Sequence, residues 1–529
     1  MEKFLENIRI TDYLDKTAAR LPDKVAYLDS KREITFAQMK DEAYRIAAAL
    51  ADAGKFKQPV GIFLEQCVEV VPSIMGVAYS GNFYSILDVD MPEARIDKIL
   101  ETFEPVAIIT DEKHKARATE IVAASSTPDA IVLVYEEMQQ TELTSEVIQT
   151  VDDTKNKVIT TDLLYVLFTS GSTGVPKGVV HSHKSVMSEV DWLPTAVQID
   201  DTTVFCNQAP FYFVMSTLEV FQTVKCGCTT CIPPRIAFAF PGMLLEYLVE
   251  HQVNTLYWVP TMLVMFANMG VLEEKVLPPI RLVMPSGEVM PMKQLNMWIK
   301  AFPEAVFVNQ YGPTEMADIV AYYIVDREFK ETESLPIGKV AEHMSCLILN
   351  DKDEEVAPGE EGEFCGRGPS LAYGYYRNPE KTAEAFVQNP LVDGYEEKIY
   401  RSGDLVKMNE RGELIYVTRK DFQIKHMGHR IELGEIETAA SSLEGMDRPA
   451  CVYDDEAKEI VMFYVGTIEP EAVRNGVKNI VPDYMVPNKV HKIDVMPTNL
   501  NGKIDRKELK SRLKFLYYSP NSKRDDSVS

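Results

Sequence analysis

LLYVLFTSGSTGVPKGVVHSH, Leu163 to His183, is the stretch on which the reading of this chain turns. The apolar run Leu163–Phe168 has the length and branching of a buried strand. It breaks into Thr169, Ser170, Gly171, Ser172, Thr173 and Gly174, where every side chain is a hydroxyl or is absent. Glycines let backbone N–H groups approach an anion closely and hydroxyls add donors, so the loop suits a polyphosphate. Lys177 adds a cation just beyond it. The spacing is not that of the nucleotide P-loop, because no Gly-Lys-Ser/Thr follows at the required offset. Taken alone, the hexapeptide reads equally as a polar turn between two strands. The rest of the chain decides.

At 529 residues the chain exceeds one ordinary core, and two or more domains are expected. A net charge of −25, from 55 basic against 80 acidic residues, excludes a general nucleic-acid or acidic-membrane surface without a strong basic patch, and the basic clusters are scattered. MEKFLENIRI lacks the apolar core of a signal peptide. Thr255 to Leu272 is free of charge but is interrupted by Pro260 and Asn268, so a buried strand to Val259 followed by a helix from about Thr261 is expected, with no membrane span. Cys67, Cys206, Cys226, Cys228, Cys231, Cys346, Cys365 and Cys451 form no regular framework, which fits a reducing cytoplasm. Cys226 to Cys231 resembles a metal knuckle but sits in a strand-like run without a fourth ligand at sensible spacing, so no zinc site is expected.

From Ile10 to Phe168 helical and strand-like segments alternate. Thr35 and Gln38 offer a capping box ahead of an amphipathic run ending at Ala53-Gly54. Pro59–Leu64, Val106–Thr110 and Ala130–Val134 read as strands, and Cys67–Gly81 as a helix. The alternation predicts α/β layers with a largely parallel sheet. A second such run follows, with strands at Thr203–Gln208, Thr255–Val259 and Ile280–Met284 and a helix at Met243–His251. Its turns, Ser286-Gly287-Glu288 and Asn309 to Glu315, stand where open α/β sheets gather ligands. From Gly338 the texture changes to short strands with frequent glycine. A new unit begins near Arg419, with a helix at Leu433–Leu443 and strands at Ala450–Tyr453 and Ile460–Val465.

FTSGSTGVPKG (Phe168–Gly178), NQYGPTE (Asn309–Glu315), GEFCGRGPSLAYGYYRNPE (Gly362–Glu380), YRSGDLV (Tyr400–Val406), RKDFQIKHMGHRIELGEIE (Arg419–Glu437), YMVP (Tyr484–Pro487) and NGKIDR (Asn501–Arg506) follow in order. Together they resemble the adenylate-forming superfamily of acyl-CoA synthetases, peptide-synthetase adenylation domains and luciferases. The texture is most similar to free-standing adenylation enzymes such as the D-alanine–carrier protein ligases. One motif would be weak, and the ordered set leaves chance little room. The resemblance implies an α/β fold: a large N-terminal domain of layered sheets, residues 1–420, that includes a small β-barrel-like subdomain. A small mobile α+β lid, 421–518, and a disordered tail, 519–529, complete the expected domains.

The implied reaction is attack of a substrate carboxylate on the α-phosphorus of ATP, giving acyl-AMP and pyrophosphate. Positioning and charge neutralisation carry such transfers. The family match gives Thr169, Ser170, Gly171, Ser172, Thr173, Gly174 and Lys177 to the β- and γ-phosphates. Glu315, with Thr173, would hold Mg2+, a hard ion. Asn309, Gln310, Tyr311 and Gly312 fall to the adenine side, with Tyr311 stacking on the base, and Thr314 offers a hydroxyl to the α-phosphate. Asp404 would accept both ribose hydroxyls, and Arg419 lies near the ribose. Lys503, which alone would read as a solvated lysine in a turn, resembles the mobile catalytic lysine, and Asp421 the hinge.

Amino-acid-activating relatives place an aspartate in a Phe-Asp-x-Ser pattern to pair with the α-ammonium. Here the stretch is Phe213-Val214-Met215-Ser216, and no Asp or Glu occurs between Asp201 and Glu219. A buried α-ammonium without a partner is costly, so the substrate is expected to lack one. Met215, Leu218, Tyr257, Met284, Ser286, Gly287, Gln310, Asp318 and Ile319 complete the expected acyl pocket. Asp318 reads three ways: acceptor from a hydroxyl, partner of an amine distant from the carboxylate, or solvent-facing. A hydroxylated aryl acid fits the set better than a long fatty acid. The thiol acceptor is expected to be the phosphopantetheine arm of a carrier protein in trans, with free CoA as the alternative. A non-catalytic binding relative is the reading from another class.

Overall fold

The computed structural model describes residues 7–171, 175–331, 333–420, 423–498 and 504–518. Two compact units emerge. The first runs to Asp90, from Leu100 to Phe168 and from Gly178 to Lys420. The second groups Met91–Ile99 and Thr169–Lys177 with the residues from Asp421 onward.

The first unit is layered α/β. A six-stranded sheet runs in the order Ile131–Val134, Ala107–Thr110, Pro59–Leu64, Phe83–Asp88, Leu163–Thr169, Lys177–Ser182. The first four pairings in that order are parallel. Pro59–Leu64 and Phe83–Asp88 are buried at every position; the first is the unbroken apolar run of a strand covered on both faces, and the second is buried despite Ser85 and Asp88. The helix Phe36–Asp52 starts at the expected box: Thr35 Oγ1 accepts from Gln38 N at 3.3 Å, and Gln38 Oε1 accepts from Thr35 N at 2.9 Å.

A nine-stranded sheet places Val204–Cys206, Thr255–Trp258, Leu282–Pro285 and Val306–Tyr311 side by side and parallel, with antiparallel strands at both edges. Parallel strands end in register, so the turns after them converge on one edge. The stretch checked for a membrane span is divided as expected, into the strand Thr255–Trp258 and the helix Pro260–Asn268. Among the described residues no helix is long and apolar enough to cross a membrane. An open five-stranded antiparallel sheet, a half-barrel, is built from Ser345–Leu349, Glu361–Arg367, Phe386–Gln388, Lys398–Met408 and Leu414–Arg419.

One local expectation is corrected. Cys226 is not in a strand: it ends the helix Val214–Cys226, and Gly227, at φ +80°, caps that helix before the strand Thr229–Cys231. No group of three or more metal-ligating side chains forms among the described residues.

The second unit is α+β. It has a hairpin, Gln423–His426 with His429–Glu432, and a three-stranded sheet of Met446–Asp454, Glu459–Gly466 and Lys489–Lys492. The helices Leu433–Ser441, Pro470–Lys478 and Arg506–Tyr518 accompany them. Ile431, Ile436, Met462 and Tyr464 lie in its core.

Candidate active site

The strand Val306–Tyr311 delivers Tyr311 at its end, fully inside the fold. Its hydroxyl donates to Asp404 Oδ2 at 2.5 Å, and Arg419 Nη1 donates to Asp404 Oδ1 at 2.9 Å. Asp404 and Arg419 face each other across the half-barrel strands Lys398–Met408 and Leu414–Arg419, so the sheet register makes the ion pair. Burial, then the Asp404 charge, pushes the Tyr311 phenol well above its ordinary range, so it stays a donor. Asn309 Nδ2 donates to Pro336 O at 2.8 Å, anchoring the same strand.

The turn that follows is forced. A Cβ on Gly312 would stand 1.7 Å from the Asp318 carbonyl oxygen, so only glycine allows the chain to fold back there. Ala317 and Asp318 both take positive φ, 68° and 150°, a strained arrangement held by its surroundings. Inside the loop Glu315 is 0% exposed, and its Oε1 accepts from Tyr375 Oη at 2.7 Å. His181 Nε2 lies 2.7 Å from the Thr314 carbonyl oxygen and Nδ1 lies 3.0 Å from Ser185 Oγ. Burial lowers the His181 pKa to about 4, so the ring is neutral near pH 7 and donates one N–H to that carbonyl.

The acyl-side residues gather around three strand ends. Met215, Leu218, Tyr257, Met284 and Ile319 share one apolar cluster, with Phe213 packed against it. Gly287 lies alongside: its Cβ position is 3.5 Å from Met215 Sδ. Ser286 lies beside Tyr257 and its backbone bridges to Gln310. Gln310 Nε2 lies 3.4 Å from Met284 Sδ. Tyr257 Oη donates to Asp318 Oδ2 at 2.7 Å, and Asp318 is 2% exposed, which removes the solvent-facing reading. Val214, at the start of its helix, is buried but packs with Tyr165 and Phe211 in a neighbouring cluster rather than with Met215.

In the second unit the phosphate-loop residues meet carboxylates. The Gly171 N–H donates to Glu435 Oε2 at 3.1 Å, and Ser170 Oγ donates to the Arg430 carbonyl at 2.7 Å. Lys177 Nζ stands 3.7 Å from Glu432 Oε1, Glu435 pairs with Arg95, and Thr169 Oγ1 is 3.4 Å from the Lys177 carbonyl. A Cβ on Gly171 would sit 2.0 Å from the Val175 carbonyl, so this position too requires glycine. Ser172, Thr173, Gly174, Asp421, Lys503 and the tail lie outside the described residues.

Several participants escaped the sequence reading. His181 stands inside the opening stretch, and Tyr375 inside the motif Gly362–Glu380, but neither position announces a hydrogen-bond partner. Glu189 could have been found: it shares a helical face with the buried Val186, Val190 and Leu193.

Residues 14–376 match the family model described as AMP-binding enzyme. Zwittermicin A synthase ZmaJ of Bacillus cereus is 30% identical over 512 residues, 94% of either chain. A D-alanine–D-alanyl carrier protein ligase of Lacticaseibacillus casei is 29% identical over 94% of this chain and 97% of its own. Delta-poly-L-ornithine synthetase of Acinetobacter baumannii is 31% identical over 96% of this chain, which spans only 37% of that longer protein. Among solved structures, the Vibrio cholerae adenylation domain AlmE with glycyl-adenosine-5'-phosphate superposes with a TM-score of 0.82 at 22% identity, over 97% of this chain and 99% of that one, and thus shares the fold. The ordered motifs, the layered sheets and this match agree: the chain belongs to the AMP-binding enzyme family, within the adenylate-forming superfamily.

Proposed function

We propose that this chain activates a carboxylic acid lacking an α-amino group, by attack of its carboxylate on the α-phosphorus of ATP. An acyl-AMP forms as the bond from the α-phosphorus to the bridging oxygen breaks and pyrophosphate leaves. The acyl group then passes to the phosphopantetheine thiol of a separate carrier protein, the carboxyl carbon exchanging its bond to AMP for one to sulfur. Support for the carrier comes from the similarity, along nearly the full length of both chains, to a D-alanyl carrier protein ligase.

The observation that carries the substrate reading is the start of the helix Val214–Cys226. Its first residue is an apolar side chain, 8% exposed, and no acid lies between Asp201 and Glu219. Glu219 Oε2 accepts from Asn207 Nδ2 at 2.5 Å. An α-ammonium brought to that helix start would meet no carboxylate. The polar groups of the pocket lie elsewhere, at Tyr257, Ser286, Gln310 and Asp318, so the acid carries a polar group remote from its carboxylate. The aryl hydroxyl anticipated from the sequence is one such group.

In this reading Tyr311 presents a flat face to adenine, and the Asp404 carboxylate, fixed by Tyr311 and Arg419, takes the ribose hydroxyls. Ser170, Gly171 and Lys177 take the leaving pyrophosphate, and Thr314 the α-phosphate. The buried Glu315, oriented by Tyr375, fits a hard divalent cation, which takes one or two carboxylates together with phosphate oxygens. Bound Mg2+ supplies charge neutralisation on those oxygens. Lys503 is assigned the charge that builds at the α-phosphorus.

The test is ATP–pyrophosphate exchange across a panel of acids with and without α-amino groups, followed by thioester formation with holo-carrier or free CoA. Best exchange with α-amino acids would overturn the substrate reading, and faster transfer to CoA the acceptor reading.

A further inference from the structure

Three carboxyl groups surround the acyl-side cluster without a basic side chain to balance two of them. Glu189 is 5% exposed on the helix His183–Ala196, Glu219 is 1% exposed, and Asp318 is 2% exposed. Glu189 leans on the backbone N–H of Ile319, the residue after Asp318. Among the described residues, neither Glu189 nor Glu219 has a lysine, arginine or histidine within ion-pair distance.

A second set of atoms points the same way, and it is not made of acids. Gln310, 3% exposed, directs its amide N–H at Met284 Sδ and leaves Oε1 without a hydrogen-bond partner. Met284 stands in register beside Tyr257, whose hydroxyl is given to Asp318. The Tyr165 hydroxyl is fully buried and makes no hydrogen bond of normal geometry, although Thr217 lies beside it and the charges of Glu189 and Asp318 both act on it. Glu219 Oε1 is buried and unpartnered as well. Gln310 Oε1 and Glu219 Oε1 accept hydrogen bonds and the Tyr165 hydroxyl can donate or accept, so a group carrying several N–H donors finds acceptors here.

We infer, resting on the substrate reading above, that the activated acid carries a cationic group remote from its carboxylate, an ammonium or guanidinium, which Glu189 and Asp318 take together. A neutral hydroxyl supplies one donor and no charge. An ammonium supplies three donors, and its charge lets both acids stand ionised side by side, which burial alone disfavours. Burial, then Asp318, holds the Glu189 carboxyl well above the usual range, so entry of a cation is accompanied by release of a proton to solvent. Gln310 Oε1 supplies a neutral acceptor, and the apolar wall of Met215, Leu218 and Met284 fits the carbon spacer between the two ends.

The experiment compares isosteric pairs in ATP–pyrophosphate exchange with the full chain: 5-aminopentanoate against hexanoate, 3-(aminomethyl)benzoate against 3-ethylbenzoate, and 3-hydroxybenzoate as the hydroxyl arm. The cationic member of at least one pair is expected to lead by on the order of 100-fold in kcat/KM, as removal of a buried charged partner costs. In Glu189→Gln and Asp318→Asn that ratio is expected to fall toward one. Calorimetric binding of the same acids, in two buffers of different ionisation enthalpy, reads the proton release and gives an answer where exchange is slow or a variant is poorly folded. Equal or better use of the neutral isosteres, with no tighter binding of the cationic acids, overturns the inference. L-Ornithine against L-norleucine separates the two readings. If both α-amino acids surpass every α-amino-free acid, the substrate reading falls. The distal cation then stands or falls by the ratio between those two.

Discussion

Tyr311 and Asp404 are joined by a hydroxyl-to-carboxylate hydrogen bond of 2.5 Å, while Arg419 holds the other carboxylate oxygen at 2.9 Å. The side chain assigned to the ribose is therefore fixed at both oxygens by protein groups, and each oxygen keeps a lone-pair direction for a ligand. Pre-organisation of this kind removes an ordering cost from nucleotide binding.

The first prediction follows from that pair. Tyr311→Phe keeps the ring and loses the hydroxyl, so KM for ATP should rise roughly 3- to 10-fold with kcat little changed, the cost of about one hydrogen bond to a charged group. Asp404→Asn leaves Arg419 facing an amide, and kcat/KM for ATP should fall by on the order of 100-fold. Steady-state exchange kinetics at saturating acid read both.

Glu315→Gln keeps the shape of the side chain and removes its charge. Half-saturation by Mg2+ should move up by roughly tenfold or more, because a hard ion loses its carboxylate. Tyr375→Phe, which only loosens that carboxylate, should move it in the same direction by a few fold, as partners of a ligand do. Titrating exchange activity with Mg2+ checks the order.

His181 makes stability sensitive to acid. Its folded pKa, about 4, lies below the ordinary 6.5, so between these values the unfolded chain binds a proton that the native chain refuses. Stability from this group is whole above pH 6.5 and declines as pH falls toward 4, by about 3 kcal/mol in all. His183 is buried neutral in the same way and adds to the slope. In His181→Gln, calorimetric melting at pH 7 and pH 5.5 should show a smaller loss on acidification than in the parent chain.

Two glycines should answer differently to alanine. Gly312→Ala places a methyl 1.7 Å from the Asp318 carbonyl and should cost about 3 kcal/mol or more, the backbone having to move. Gly242, in the first turn of the helix Pro241–Glu250, has open space around its Cβ position, and its alanine should stabilise by roughly 0.5–1 kcal/mol. Denaturant unfolding of the two variants gives the contrast.

The fold was legible where pattern and chemistry were local. Pro59–Leu64 is a strand as its apolar run implied, and Thr35 and Gln38 cap as their spacing implied. The strand Phe83–Asp88 passed unnoticed, since Ser85 and Asp88 interrupt a run that tertiary cover on both faces buries anyway. The proposed nucleotide residues could be named from the sequence because contiguous motifs carry them. The Asp404–Arg419 pair could not, since it is created by register between strands. Glu189 and Asp318 are far apart in sequence, and only the backbone reversal at Ala317 and Asp318 brings the carboxyl of one against the amide following the other.

The Gly171 amide already has an acceptor, Glu435 Oε2 at 3.1 Å, and Lys177 already has an anion nearby in Glu432. Under the proposed assignment, a triphosphate arriving at these groups would exchange places with carboxylates of the same chain; it would not fill bare donors. The apparent affinity for ATP is then a difference between two anions competing for one set of N–H groups, and it is weaker than the contacts alone suggest. Departing pyrophosphate, conversely, would leave no orphaned amide at Gly171, because Glu435 Oε2 stands within hydrogen-bond reach. In that reading the same exchange that weakens net binding also eases product release from this loop.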